Sequence, residues 1–188
     1  MTEIKIFENF LNDEVFFDLK SALRPGGGFP WGFHLSNVAE LGPEIHLQNN
    51  QFSHVLYQHD PLEIPFDALG QLGDRAWEGC SQLAKIVAPV LQKINPFMLV
   101  RAKANLLTYS GGTSFFGGFH TDTPREDICV TGILYLDTCD GPTGFEGGKK
   151  VDAVANRLVT FPAFVRHGSW TATDVPYRRV INFNWIPF

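Results

Sequence analysis

The tetrapeptide Phe119-His120-Thr121-Asp122 places an imidazole and a carboxylate two residues apart. On an extended segment side chains alternate, so His120 and Asp122 project to the same side and make a two-pronged metal ligand. His167, in Phe161-Pro162-Ala163-Phe164-Val165-Arg166-His167-Gly168, follows a β-forming run downstream and is the expected third donor. Two imidazoles and one carboxylate form the facial set that suits non-haem Fe(II), with the opposite face open for a cosubstrate and dioxygen. An HxD tripeptide is commonplace by itself, and with 6 His in the chain a chance partner is easily found. His34, His46, His54 and His59 have no carboxylate two residues on, and are read as surface or substrate-side groups.

A second requirement separates a 2-oxoglutarate oxygenase from a generic metal site: a cation must hold the distal carboxylate of the cosubstrate. Arg178 and Arg179 follow His167 near the start of the last apolar run, and a guanidinium grips a carboxylate with two parallel hydrogen bonds. If Arg179 faces inward, period-two alternation carries Ile181, Phe183 and Trp185 with it and sends Asn182 and Asn184 outward. The opposite register buries two asparagines. The expectation is therefore Arg179 in the site and Arg178 in a surface ion pair.

The elements that would position these residues fall in two halves. Ile4, Ile6 and Phe7 suggest a short strand, followed by a helix capped at Asn12 or Asp13 with Val15, Phe16, Leu19 and Leu23 on one face, stopped by Arg24-Pro25-Gly26-Gly27-Gly28. A second helical stripe runs from about Asp74 through Trp77, Cys80, Leu83, Val87, Leu91 and Ile94, kinked at Pro89. Beyond Pro96 the runs are short and β-rich: Phe97 to Thr108, a segment around Phe119, Ile128 to Leu136, Arg157 to Phe161 and Arg179 to Ile186, with an irregular glycine-rich stretch from Asp140 to Gly148. The expected fold is α+β within a single domain spanning residues 1–188. Its all-β core, over about 96–188, is a double-stranded β-helix or cupin-like jelly roll, preceded over about 1–95 by a helical support and substrate-side region.

Composition narrows the function classes. A hydrophobic fraction of 44% with 17 Phe and 4 Trp supplies a core, while no apolar run is long enough to cross a bilayer. The N-terminal residues lack the pattern of a signal peptide. Three cysteines, Cys80, Cys129 and Cys139, have no CxxC spacing and fit a reducing, cytoplasmic setting better than a disulfide framework. The net charge of −5 comes without a basic run, which argues against nucleic acid as a partner.

From Arg101 to Trp185 the chain resembles the prolyl hydroxylase branch of the 2-oxoglutarate/Fe(II)-dependent dioxygenases. The resemblance rests on the HxD and distal His, on Tyr109-Ser110-Gly111-Gly112, on Cys129-Val130-Thr131-Gly132-Ile133-Leu134-Tyr135-Leu136, on the glycine-rich 140–148 stretch, and on Arg179 with Trp185 six residues later. It implies that His120, Asp122 and His167 bind Fe(II), that Arg179 and Tyr135 hold the distal carboxylate of 2-oxoglutarate, and that Tyr109 lines the cosubstrate pocket. Thr131 shares Tyr135's face and is a candidate for the same pocket, or an ordinary half-buried strand residue. The implied activity is hydroxylation of an unactivated C–H bond with conversion of 2-oxoglutarate and dioxygen to succinate and carbon dioxide, with ascorbate as a supporting reductant. Members that halogenate lack the carboxylate ligand, so Asp122 implies hydroxylation. The substrate stays open between a prolyl residue of a peptide or protein and a free amino acid, small metabolite or modified base. A cupin-like metal-binding protein without turnover and a zinc hydrolase remain as alternatives, although neither explains a carboxylate clamp. The segment Phe29-Pro30-Trp31-Gly32-Phe33-His34 is a candidate lid or substrate wall, or a packed loop.

Overall fold

The computed structural model describes residues 3–34, 51–58, 82–109, 111–122 and 127–188. In chain order its elements are β1 (Lys5–Phe7), α1 (Asp13–Ala22), β2 (Gly32–His34), β3 (Gln51–Gln58), a 3-10 turn (Gln82–Val87), α2 (Ala88–Ile94), β4 (Met98–Thr108), β5 (Val130–Tyr135), β6 (Cys139–Phe145), β7 (Lys150–Ala153), β8 (Leu158–Pro162), β9 (His167–Ser169) and β10 (Tyr177–Ile186). A seven-stranded sheet runs β1-β8-β5-β10-β4-β3-β2, and a three-stranded sheet runs β7-β6-β9, with every pairing antiparallel.

The large sheet is buried on both sides. One face, with Ile181, Phe183 and Trp185 of β10, Ala102 and Ala104 of β4 and Leu134 of β5, packs against Leu19 and Leu23 of the α1 region and Val90 and Leu91 of α2. The other face meets the small sheet: Ile133, Tyr135, Val159, Phe161 and Val180 pack with Cys139, Phe145, Val151 and Ala153. Local rules account for the helices. Asn12 caps α1 by accepting a hydrogen bond from the Val15 amide at 2.9 Å, and Asp13 and Glu14 sit in the first turn, where the helix dipole favours them. Pro89 falls at the start of α2, where its missing N–H costs nothing, rather than at a kink.

Several expectations change. Among the described residues of the first half, α1, the 3-10 turn and α2 are accompanied by β1, β2 and β3, which join the large sheet, β1 and β2 at its edges. The stretch from Asp140 to Gly148 is not irregular: Cys139–Phe145 is the central strand of the small sheet. Its Gly141 and Gly144 hid the β pattern, and Gly141 is required by close approach, since a methyl there would meet the Trp170 carbonyl at 2.7 Å. The expected helix from Asp74 is described only from Gln82 onward, so Trp77 and Cys80 lie outside the described residues, as do His46 and His59. Of the segment Phe29 to His34, Phe29 is buried with Trp31 packed on the same core, and Gly32–His34 is an exposed edge strand paired with β3.

The most consequential correction concerns β10. Its alternation is as expected, with Arg179 on the face of Ile181, Phe183 and Trp185, but that face is turned to the helices. The Arg179 guanidinium grips Asp137 at 2.8 and 2.9 Å and donates to the Lys20 and Leu23 carbonyls at 3.1 and 3.0 Å, tying the C-terminal end of α1 to the sheet. Arg179 is therefore a structural ion-pair residue, buried at 3% exposure, and stands away from the cavity described below. Removing one member of a buried ion pair costs about 3–5 kcal/mol when the other charge is left without a partner, and Lys20 Nζ, 3.3 Å from Asp137 Oδ1, holds the loss here to the lower end of that range or below it. Arg179→Met should lower the urea midpoint of unfolding correspondingly, with an unchanged slope.

Candidate metal centre and cavity

His120 and His167, far apart in sequence, are held together by their own backbones. The His120 amide donates to the His167 carbonyl at 2.9 Å and the His167 amide returns a bond at 3.0 Å, an isolated antiparallel bridge beside β9. A second bridge, Phe116 with Trp170, and a bond from the Gly117 amide to the Ser169 carbonyl extend this contact. The segment around Phe119 is thus strand-like through these bridges, as its sequence suggested. Gly168 makes the approach possible: a methyl there would run into the Gly118 carbonyl and the Phe116 ring.

The pairing sets the two imidazoles with centroids 4.9 Å apart, and Asp122 completes the group. Its Oδ1 lies 3.6 Å from His120 Nε2 and its Oδ2 3.6 Å from His167 Nε2. Potential ligand atoms of the three residues all fall within 4.8 Å of one another, and no other such group occurs among the described residues. Each ring has its Nδ1 against a backbone carbonyl, Gly118 at 3.4 Å for His120 and Val165 at 3.2 Å for His167. Donation from Nδ1 fixes the tautomer that leaves Nε2 as a lone-pair donor. His167 Nε2 is fully buried and has no hydrogen-bond partner, the state of a ligand atom aimed at a site for an ion.

Electrostatics agree with this arrangement. Burial by itself would raise the Asp122 pKa, but the His120 and His167 imidazoles, each 3.6 Å away, overcome it and hold the carboxyl well below its ordinary value. Burial pulls His120 down, and the Asp122 carboxylate more than reverses this, leaving His120 raised. An ionised carboxylate between two imidazoles is a preformed, negatively charged seat for a cation.

The three residues open onto a cavity of about 180 Å³ between the sheets. Its walls include Arg101, Lys103 and Asn105 of β4, Ile133 of β5, Thr143 of β6, Ser169 of β9, and Arg178, Val180 and Asn182 of β10. Of the two adjacent arginines of β10, Arg178 and not Arg179 lines this cavity. It is buried at 2% exposure, with Nε donating to the Gly141 carbonyl at 2.8 Å and Nη2 to Thr143 Oγ1 at 3.0 Å. A guanidinium has more N–H groups than these two acceptors engage.

The other expected site residues fall further back. Tyr135 is fully buried behind Arg178, whose guanidinium carbon lies 5.4 Å from its ring centre, and its hydroxyl donates to Thr143 Oγ1 at 2.6 Å. It orients the threonine and arginine and does not line the cavity. Burial raises its pKa despite the Arg178 charge, so it stays a neutral donor. Thr131 accepts from Asn184 Nδ2 at 3.0 Å, also off the cavity, and Tyr109 is half exposed at the end of β4. His34 is exposed, and His54 bonds to the Pro30 carbonyl at 3.0 Å. Sequence reading missed Thr143, Asn182, Arg101 and Lys103. The alternation of Arg101, Lys103 and Asn105 with Val100, Ala102 and Ala104 was the available signal.

The architecture places the chain in a fold class. Its antiparallel double-layered β core, with the HxD and distal His facing one cavity, is the fold of the 2-oxoglutarate/Fe(II) oxygenases, including prolyl-4-hydroxylases. A prolyl-4-hydroxylase from Pseudomonas putida is similar at 17% identity over 100% of this chain and 93% of that one, with a TM-score of 0.52. A prolyl hydroxylase from Trichoplax adhaerens, solved with a hypoxia inducible factor oxygen degradation domain peptide fragment, is similar at 15% identity over 97% and 83%, with a TM-score of 0.57. The epimerase SnoN, solved with Fe3+, alpha ketoglutarate and nogalamycin RO, is similar at 11% identity over 99% and 79%, with a TM-score of 0.61. No protein-family profile and no curated protein sequence matches the chain. No helix among the described residues is long and apolar enough to cross a membrane.

The role of Gly168 in joining the two histidines is open to direct measurement. Gly168→Ala should weaken binding of Mn(II), used as a redox-stable probe, about 10–100-fold, the range seen when ligand support is disturbed. Competitive chelation titration gives the affinity, and an unchanged value would mean that the bridge does not set the ligand geometry.

Proposed function

We propose that the chain is an Fe(II)- and 2-oxoglutarate-dependent oxygenase that hydroxylates an unactivated C–H bond. The observation that carries this reading is the pairing of the His120, Asp122 and His167 cluster, with its partnerless buried Nε2, and a buried arginine in the same cavity. His120, Asp122 and His167 would hold Fe(II). When bound, the iron supplies the oxidising chemistry by which dioxygen and 2-oxoglutarate are converted to succinate, carbon dioxide and a hydroxylated product.

The chain's own residues do the positioning. Arg178 presents a bidentate face for the distal carboxylate of 2-oxoglutarate, held rigid by Gly141 and Thr143, with Tyr135 fixing Thr143 from behind. Asn182 Nδ2 donates to Asp122 Oδ2 at 3.3 Å and keeps that carboxylate turned to the histidines. Phe161, at 4.8 Å from the His167 ring, and Phe145 close the side of the site behind that ligand. A metal-binding protein without turnover, or a zinc hydrolase, gives Arg178 no task.

Anaerobic addition of Fe(II) and 2-oxoglutarate should produce the weak visible charge-transfer band of an iron–oxoglutarate chelate, and addition of oxygen should yield succinate. His167→Ala should abolish both. Arg178→Met should raise the 2-oxoglutarate concentration needed for the band by about tenfold or more, the worth of a charge-assisted pair. Absence of the band together with absence of succinate would overturn the proposal.

A further inference from the structure

Alternation along β4 sends Arg101, Lys103 and Asn105 into the cavity, two cations on one strand beside the proposed metal ligands. Arg101 is already engaged: its Nη1 donates to the Asp122 carbonyl at 3.0 Å and lies 3.9 Å from Asp122 Oδ1. Lys103 is not. It is partly buried and lines the cavity, and its Nζ makes no hydrogen bond or ion pair with any described residue. Burial first and the neighbouring Arg101 second push its pKa down to about 8, with Asp122 acting in the opposite sense. An ammonium withdrawn from water next to a guanidinium, with no ion-pair partner among the described residues, is costly to maintain. Such a group in a cavity is expected to receive its partner from a ligand.

The proposed cofactors do not supply that partner. The charge of Fe(II) is balanced by Asp122 and by the 2-oxoglutarate carboxylate at the metal, and Arg178 is balanced by the distal one. Arg101 and Lys103 remain in excess. Register also separates the two ends of the cavity. Lys103 pairs with Asn182 and Leu107 with Arg178, so Lys103 and Arg178 are displaced by four residues along the sheet, roughly 13 Å. That exceeds the reach of a five-carbon dicarboxylate already held by Arg178 and the metal.

We propose that the substrate is a small organic anion whose carboxylate or phosphate docks on Lys103 with Arg101 beside it, a few bonds from the carbon that is oxidised. This rests on the oxygenase reading above and gives it a substrate class. An internal prolyl residue of a peptide has no charge near its ring and would leave Lys103 without a partner.

The test compares matched probes: N-acetyl amino acids against their primary amides, and small phosphate monoesters against the parent alcohols. Each is scored by the 2-oxoglutarate consumed above the probe-free rate. At least one acid or phosphate should exceed its neutral counterpart by about tenfold or more, the discrimination of a charge-assisted hydrogen bond, and which set responds identifies the anion. Lys103→Met should abolish that preference and Lys103→Arg should restore much of it, with the 2-oxoglutarate dependence of the charge-transfer band unmoved in both. A second readout needs no turnover. Acetic anhydride labelling of Lys103 at about pH 8, read by peptide mass spectrometry on the anaerobic iron and 2-oxoglutarate complex, should be suppressed by the responding probes. Neutral probes that stimulate equally would overturn the proposal, as would anions that neither stimulate nor protect Lys103. So would a Lys103→Met variant that weakens 2-oxoglutarate as strongly as Arg178→Met does. Failure of the chelate band itself would instead remove the oxygenase reading.

Discussion

Two backbone hydrogen bonds between His120 and His167 carry the site. Side chains alone would have to hold three donors together against their mutual desolvation and, once Asp122 is ionised, against the entropy of ordering them. The reciprocal amide–carbonyl pair does this with main-chain atoms, which have far less conformational freedom to lose. Everything around the pair serves its closeness. Gly168 removes the Cβ that would push the strands apart, Trp170 and Phe116 stack at 4.9 Å to close one side, and β6 supports β9 from behind. The carboxylate then arrives by alternation, two residues from His120.

The second organising element is β10, a central strand with two unlike faces. Its apolar face carries Ile181, Phe183 and Trp185 into the layer beneath the helices, with Arg179 at one end spent on Asp137 and the exposed carbonyls of α1. Its polar face carries Arg178, Asn182 and Asn184 between the sheets. Because the same ten residues both close the core and line the cavity, the stability of one side fixes the orientation of the other. Gly132, paired with Phe183, allows the Trp185 indole to lie flat on β5, where any Cβ would meet it at 2.7 Å.

This arrangement explains what the sequence disclosed and what it did not. The triad was readable because it depends on a local period of two and on residue chemistry that few other sites require. The strands β4, β5, β8 and β10 were readable for the same reason, whereas β6 was concealed by its glycines, of which Gly141 lets Trp170 and Thr171 approach. The arginine was misplaced through a sound rule used outside its range. Apolar residues do face a core, but this sheet has cores on both sides, and the face that holds the site is the more polar of the two. A strand with a polar cavity on one side buries asparagines there, and sequence alone gives no sign of which buried face contains the cavity.

The cost of that cavity is visible in its orphaned atoms. Asn105 Oδ1, Asn182 Oδ1 and His167 Nε2 all line it or point at it, and all are buried without a hydrogen-bond partner. Each such group costs about 1–3 kcal/mol relative to a satisfied one. The fold offsets this through the opposite face of the same sheet, where the apolar contacts of β10, β4 and β5 with the helices are continuous. Strain of this kind has one direction of relief. A cation beside His167 Nε2, with hydroxyl or N–H donors beside the two amide oxygens, satisfies the orphaned groups together, so that occupation of the cavity stabilises the fold around it.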